Sequence, residues 1–198
     1  MTQTTRAQLD DHRAALASVE DLLPTVDEIG RRVCAAFAAG NRLYSFGNGG
    51  SAADAQHLAA ELIGRYRRER RALPALSLAV DPSVVTCIAN DYSYEDVFAR
   101  QVEALVVRGD IVVGFSTSGQ SANVVAGLAA ARAAGGVTVL FGGGDGGRAR
   151  EHADFALIVP TSTTARVQEM HLLMLHLLSD IIDAWAAGES DPARPASD

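Results

Sequence analysis

Past Gly40 the chain changes its period, and that change restricts its fold more than any other feature. Short, largely apolar runs at residues 43–46, 75–80, 111–116, 137–141 and 155–159 alternate with helical stretches at 51–66, 82–90, 94–107, 122–134 and 147–153. Strands apolar along their whole length are covered on both faces, and crossover helices are what cover them. The expected fold class is α/β: a five-stranded parallel, doubly wound sheet flanked by helices. Ahead of it, residues 6–39 carry apolar positions at helical spacing in two segments. Leu9, Leu16, Val19 and Leu22 mark the first, Val26, Ile29, Val33 and Phe37 the second, and Pro24 stands where it can open the second. A long last helix is expected over 164–187. Residues 1–40 then form a helical segment packing on the domain and in contacts between copies, 41–187 one domain, and 188–198 a flexible tail.

A chain of 198 residues buries a sizeable core without disulfide or metal staples. No apolar run approaches the ~20 residues of a membrane span, and the N-terminus lacks a signal-peptide core, so a cytoplasmic protein with no membrane partner is expected. A net charge of −7 speaks against nucleic acid as a partner. All 17 basic residues are arginines, which removes lysine Schiff bases, pyridoxal phosphate chemistry and Walker-type phosphate lysines. Arg65, Arg67, Arg68, Arg70 and Arg71 cluster; a solvated helix end is the ordinary explanation, a docking surface for an anion the other. Cys34 and Cys87 sit far apart in apolar sequence and read as buried thiols in a reducing compartment.

Ligands of doubly wound sheets bind beyond the carboxyl ends of the strands, and two strand ends carry unusual loops. The first strand runs into Gly47-Asn48-Gly49-Gly50-Ser51 and straight into a helix. Glycines permit close backbone approach to a ligand, and Ser51 can cap the helix and aim its amides at an anion. Gly47 to Ala52 also fits a dinucleotide fingerprint, but the acidic residue such a site wants falls too late, at Asp81. The third strand ends in Ser116-Thr117-Ser118-Gly119-Gln120-Ser121, four hydroxyls at a helix start. Capping alone can explain each hydroxyl. Two such loops on one sheet favour a monophosphorylated small molecule held by hydroxyls and amides, with no nucleotide cofactor.

His57 and Glu61 stand at i and i+4, and Arg65 is expected one turn further along the same face; a surface salt-bridge row is the plain alternative. In the last helix Gln168, Glu169, His171 and His176 interrupt the apolar run from Met170 to Leu178. Such groups are either satisfied by internal partners or functional. A satisfied structural role is expected for His171.

The segments GNGGSAADAQHLAAELIGRY, IANDYSYEDVFARQVEAL, STSGQSANV and RVQEMHLLMLH together resemble the sugar isomerase (SIS) domain, and specifically its phosphoheptose isomerases. The resemblance spans most of the chain. It implies a homotetramer interconverting sedoheptulose 7-phosphate and D-glycero-D-manno-heptose 7-phosphate, with one zinc per subunit. It further implies that Ser51, Ser116, Thr117, Ser118 and Ser121 hold phosphate beside Asn48 and Gly49, and that Asp91, Arg65 and Gln168 face the sugar. Glu61 and His176 would move protons, and His57, Glu61, Gln168 and His176 would match the family's zinc ligands.

The chemistry agrees. Moving a carbonyl between adjacent carbons needs one base to take a carbon-bound proton and return it to the neighbour, which suits Glu61, and an imidazole to serve the oxygens, which suits His176. One departure is Ala165, where the family often has an aspartate before Arg166. A non-catalytic SIS relative that associates with the bacterial replication initiator has a similar pattern there, so a binding protein for a sugar phosphate or protein partner is the alternative. Retention of His57, Glu61 and His176 favours the enzyme.

Overall fold

The computed structural model describes residues 4–189, so the tail expected over 188–198 lies outside the described residues except for Gly188 and Glu189. Two helices come first: α1 (Thr5–Ala17), capped by the Thr4 hydroxyl accepting from the Ala7 amide at 3.2 Å, and α2 (Leu23–Ala38), opened by Pro24. Then follow β1 (Leu43–Gly47), α3 (Gly50–Ile63), β2 (Ala75–Ser77), α4 (Pro82–Asp91), α5 (Ala99–Leu105), β3 (Ile111–Ser116), α6 (Ala122–Ala133), β4 (Val137–Gly143), β5 (Phe155–Val159) and α7 (Thr164–Ala186).

The five strands form one parallel sheet in the order β2-β1-β3-β4-β5. Strand side chains alternate between two cores. Leu43, Ile111, Val113, Phe115, Val139, Phe141 and Leu157 face α2, α3 and α7, while Tyr44, Phe46, Val112 and Leu140 face α5 and α6. Both faces are covered, which is why the strand sequences are apolar throughout. The order reverses between β1 and β3, and the crevice of a doubly wound sheet opens at such a reversal. The two unusual loops therefore leave from neighbouring strands. Among the described residues no helix is long and apolar enough to cross a membrane.

Several elements are shorter than their sequence pattern suggests. β2 stops at Ser77, not residue 80, because it is an edge strand and the Asp81 carboxylate begins α4 by accepting from the Ser83 and Val84 amides. The stretch at 94–107 is split into a 3₁₀ turn (Tyr94–Asp96) and α5, and 147–153 is only the 3₁₀ turn Arg148–His152. α3 ends at Ile63, before Gly64, so Arg65 does not continue the His57 and Glu61 face. Nor is the arginine cluster a solvated helix end. It forms a loop, and its Arg70 side chain is 1% exposed against Asp183 of α7.

Cys34 is buried, and burial pushes its thiol up to about 12. Cys87 corrects the expectation of two buried thiols: α4 buries only Ile88, so Cys87 is exposed, and its bond to Asp91 raises it too. The apolar run of α7 is only partly used inside one chain. Met170, Met174, Leu175 and Leu178 are buried, whereas Leu172, Leu173 and Leu177 stay half-covered, the last two lining one groove with exposed Leu16 and Leu23.

Candidate active site

Gly49, at φ 56°, turns the first loop in a conformation that glycine adopts without strain. It is also the residue before α3, so the helix has no side-chain cap: Ser51 does not cap it but lies buried in its first turn. The second loop shapes itself with its own hydroxyls. Ser116 Oγ accepts from the Gly119 amide at 3.1 Å and lies 3.4 Å from Ser121 Oγ, and Ser118 Oγ accepts from the Gln120 amide at 3.2 Å. A hydroxyl that accepts from an amide still has a proton to donate, so these groups can both build the loop and hold an oxyanion. The start of α6, directly after Ser121, adds its first amides.

A pair of amides joins the two loops. Asn48 donates to Asn123 Oδ1 at 2.8 Å, Asn123 returns the bond to Asn48 Oδ1 at 2.9 Å, and the Tyr94 hydroxyl donates to the same Asn48 oxygen at 3.0 Å. Asn123 was not singled out from the sequence. Its signal is an asparagine in the first turn of a helix, where its side chain has another use than helix formation.

His57 and Glu61 are held by a 2.9 Å contact between Nε2 and Oε1. His176 arrives from α7: its ring centre lies 5.1 Å from that of His57, and the Tyr66 ring stacks on it at 5.6 Å and 24°. One donor atom from each of His57, Glu61 and His176 lies within 4.8 Å of the others. Two imidazoles and a carboxylate are a donor set that suits zinc. Asp54, one turn before His57, has an unpartnered buried carboxylate oxygen, and burial raises it to about 6 against the opposing pull of His57. His171 is buried but only half satisfied, against the expectation of a fully partnered histidine: its Nε2 is 3.1 Å from the Gly142 carbonyl, its buried Nδ1 has no hydrogen-bond partner, and burial lowers it to about 4.

The other candidates are not brought into this cluster by any bond among the described residues. Gln168 rests over Gly50, since a Cβ built there would sit 2.5 Å from its Nε2, and Gly50 is at the opposite end of α3 from Glu61. Asp91 is exposed at the end of α4, accepting from Asn90 at 2.7 Å. Arg65 is exposed and 3.9 Å from Glu69. Thr117 is half-buried between Ser116 and Ser118.

Comparison with known proteins agrees with this layout. The SIS domain profile matches residues 9–143. A phosphoheptose isomerase of Roseiflexus sp. is 48% identical over 183 residues, spanning 90% of this chain and 93% of its own. One of Trichlorobacter lovleyi is 49% identical over 182 residues, spanning 91% and 93%. The solved phosphoheptose isomerase of Neisseria gonorrhoeae superposes with a TM-score of 0.86 at 37% identity, over 90% of this chain and 96% of that one. With both strand-end loops inside the profile match and about nine-tenths of the chain inside the relatives' matches, the chain belongs to the SIS domain family, among its phosphoheptose isomerases.

Proposed function

We propose that the protein interconverts sedoheptulose 7-phosphate and D-glycero-D-manno-heptose 7-phosphate by proton transfer through an enediol. The observation that carries this reading is the convergence of His57, Glu61 and His176 from two helices, one of which begins at a loop suited to phosphate. Gly50 and His57 are seven residues apart on α3, about 10 Å along its axis. That is roughly the length of an extended seven-carbon sugar, so a phosphate at the loops lets the opposite end of the molecule meet the cluster.

The phosphate is held without a lysine. Ser51, Ser116, Thr117, Ser118 and Ser121 supply hydroxyls, Asn48 and Gly49 line the approach, and the starts of α3 and α6 contribute their positive ends. Glu61 takes the proton from the carbon beside the carbonyl and returns it to the neighbouring carbon on the same face. His176 passes protons to and from the two oxygens. Arg65, Asp91 and Gln168 contact the sugar hydroxyls. His57, Glu61 and His176, with Gln168, are the residues that would hold a zinc ion, which when bound polarises a carbonyl as a Lewis acid. Because Gln168 rests at Gly50, the opposite end of α3 from Glu61, within one chain, we read the site as completed between subunits of a homotetramer. The half-covered leucines of α7, with Leu16 and Leu23, supply the apolar surface.

Glu61→Gln tests the reading, since it keeps shape and removes basicity. Turnover of sedoheptulose 7-phosphate should fall by ~10²–10⁴-fold while substrate still binds. Turnover at the wild-type rate in a folded variant rules Glu61 out as the base. Chelation should remove part of the activity and added zinc restore it.

A further inference from the structure

The arginine loop after α3 has no part in the chemistry above, yet one of its members is among the most fully bonded side chains of the molecule. Arg70 Nε donates to Asp183 Oδ1 at 2.9 Å, Nη2 to the Glu61 carbonyl at 2.6 Å, and Nη1 to the carbonyls of Leu62 at 2.7 Å and Arg71 at 2.9 Å. Its side chain is 1% exposed and that of Asp183 is fully buried. The other carboxylate oxygen of Asp183 accepts from the Arg67 and Arg68 amides at 3.0 and 2.7 Å. Burial alone would raise the Asp183 carboxyl, but these amides, the Arg70 guanidinium and the Tyr66 amide outweigh it and lower it.

These bonds connect two places that the reaction needs at a fixed separation. Glu61 lies in the last turn of α3, whose terminal carbonyls lack partners inside the helix, and the guanidinium takes two of them. Asp183 lies seven residues beyond His176 on α7, two turns along the same face. Between them the same loop carries Tyr66, whose ring lies on His176. A buried ion pair contributes little net stability beside an apolar pair of equal volume, because both charges must leave water. What it fixes is geometry, since each bond here demands one position of its partner.

We propose that Arg70 and Asp183 are positioning residues for the isomerisation: together they lock the last turn of α3 to α7, setting Glu61 and His57 against His176, on which Tyr66 stacks. This rests on the assignment of Glu61 and His176 to proton transfer. Arg67 is the internal comparison. Its side chain is 71% exposed and 3.9 Å from Asp180 on the surface, where ion pairs contribute little, whereas the Arg68 guanidinium also lies 3.7 Å from Asp183 itself.

Asp183→Asn, Arg70→Lys and Arg67→Ala, each in the full-length chain, separate positioning from plain stability. Asp183→Asn keeps acceptors for the loop amides and loses the charge; Arg70→Lys keeps the charge and loses the fork. For each variant, kcat and KM are measured with sedoheptulose 7-phosphate, and the zinc dissociation constant by competition with a chromophoric chelator in the absence of sugar. Inhibition by inorganic phosphate reports on the loops at the other end of α3. Both pair variants should lose 10-fold or more in kcat and in zinc affinity, with the phosphate inhibition constant within twofold of wild type, and Arg67→Ala should match wild type throughout. Folded pair variants that keep kcat and zinc affinity within twofold overturn the proposal and leave the pair a structural bond. If Asp183→Asn does not fold, Arg70→Lys decides alone. The zinc arm uses no sugar, so it decides the role of the pair even if the wild-type protein proves inactive on this substrate, an outcome that would refute the assigned reaction instead.

Discussion

Gly50→Ala should reduce catalysis while leaving the fold as stable as before. Gly50 is the first residue of α3, and a methyl group there would lie 2.5 Å from Gln168 Nε2, 3.0 Å from its Cδ and 3.2 Å from its Oε1. Ordinary contact needs about 3.5–4.0 Å, so the Gln168 amide must retreat by about 1 Å. Because the atoms in the way end a flexible side chain, the cost is that of an off-rotamer turn, about 0.5–1.5 kcal/mol. Replacing glycine by alanine in a helix returns up to about 1 kcal/mol. The two nearly cancel, and the melting temperature should move by no more than a few degrees. Activity has no such compensation, since misplacing a positioning group by 1 Å costs up to ~10²-fold. The assay is kcat/KM for sedoheptulose 7-phosphate beside a urea titration, for Gly50→Ala, Gln168→Ala and the double variant. A 10- to 100-fold loss in Gly50→Ala is expected, with the double variant no worse than Gln168→Ala. A Gly50→Ala enzyme within threefold of wild type, or losses that multiply in the double variant, would refute the placement of Gln168 beside this glycine as functional.

Gly119→Ala should do the opposite, damaging fold and binding together. Its added methyl would strike the rigid Gly146 backbone, at a φ of 62° that alanine resists, so a loss of about 3 kcal/mol or more in urea and weaker inhibition by inorganic phosphate are expected. A variant that melts and binds phosphate like wild type would contradict it. His171 predicts a pH dependence. Its folded pKa near 4 is below the unfolded value of about 6.5, so the unfolded chain takes the proton first, and stability present above pH 6.5 is lost as pH falls toward 4. The loss is about 3 kcal/mol. His171→Met should lack it, and parallel stability curves for the two proteins between pH 7 and 4 would exclude the assignment.

The sheet was readable because burial on both faces makes a strand apolar along its length, and residues 43–46 and 111–116 carry that pattern without interruption. The short edge strand β2 was overextended for the same reason: Leu78 is apolar because it packs into the second core, not because it pairs as a strand. Composition distinguishes a buried residue from an exposed one better than it distinguishes a strand from the turn that follows. Gly64 was the signal that α3 stops before Arg65, and giving it its usual meaning at a helix end would have removed Arg65 from the His57 face.

The site divides along the distance between its parts in sequence. His57 and Glu61 were visible because one helical turn brings them together, and the two loops because their residue types announce themselves at strand ends. What brings His176 to them is the packing of α7 against α3, which spacing along the chain does not encode; only the resemblance to a family supplied it. The Arg70 and Asp183 pair was hidden still more completely. Its members are 113 residues apart, and an arginine in a run of arginines looks like solvent-exposed charge. Charge alone misleads here because a guanidinium can be buried once every donor is matched, and the match for Arg70 comes mostly from carbonyls, which carry no sequence label. The same reasoning sets Arg70 apart from its neighbours. Arg67 is exposed beside a surface carboxylate and remains replaceable, whereas Arg70 spends its fork on the end of the helix that carries Glu61, so an arginine that looks undistinguished in the sequence is the one placed to influence the chemistry.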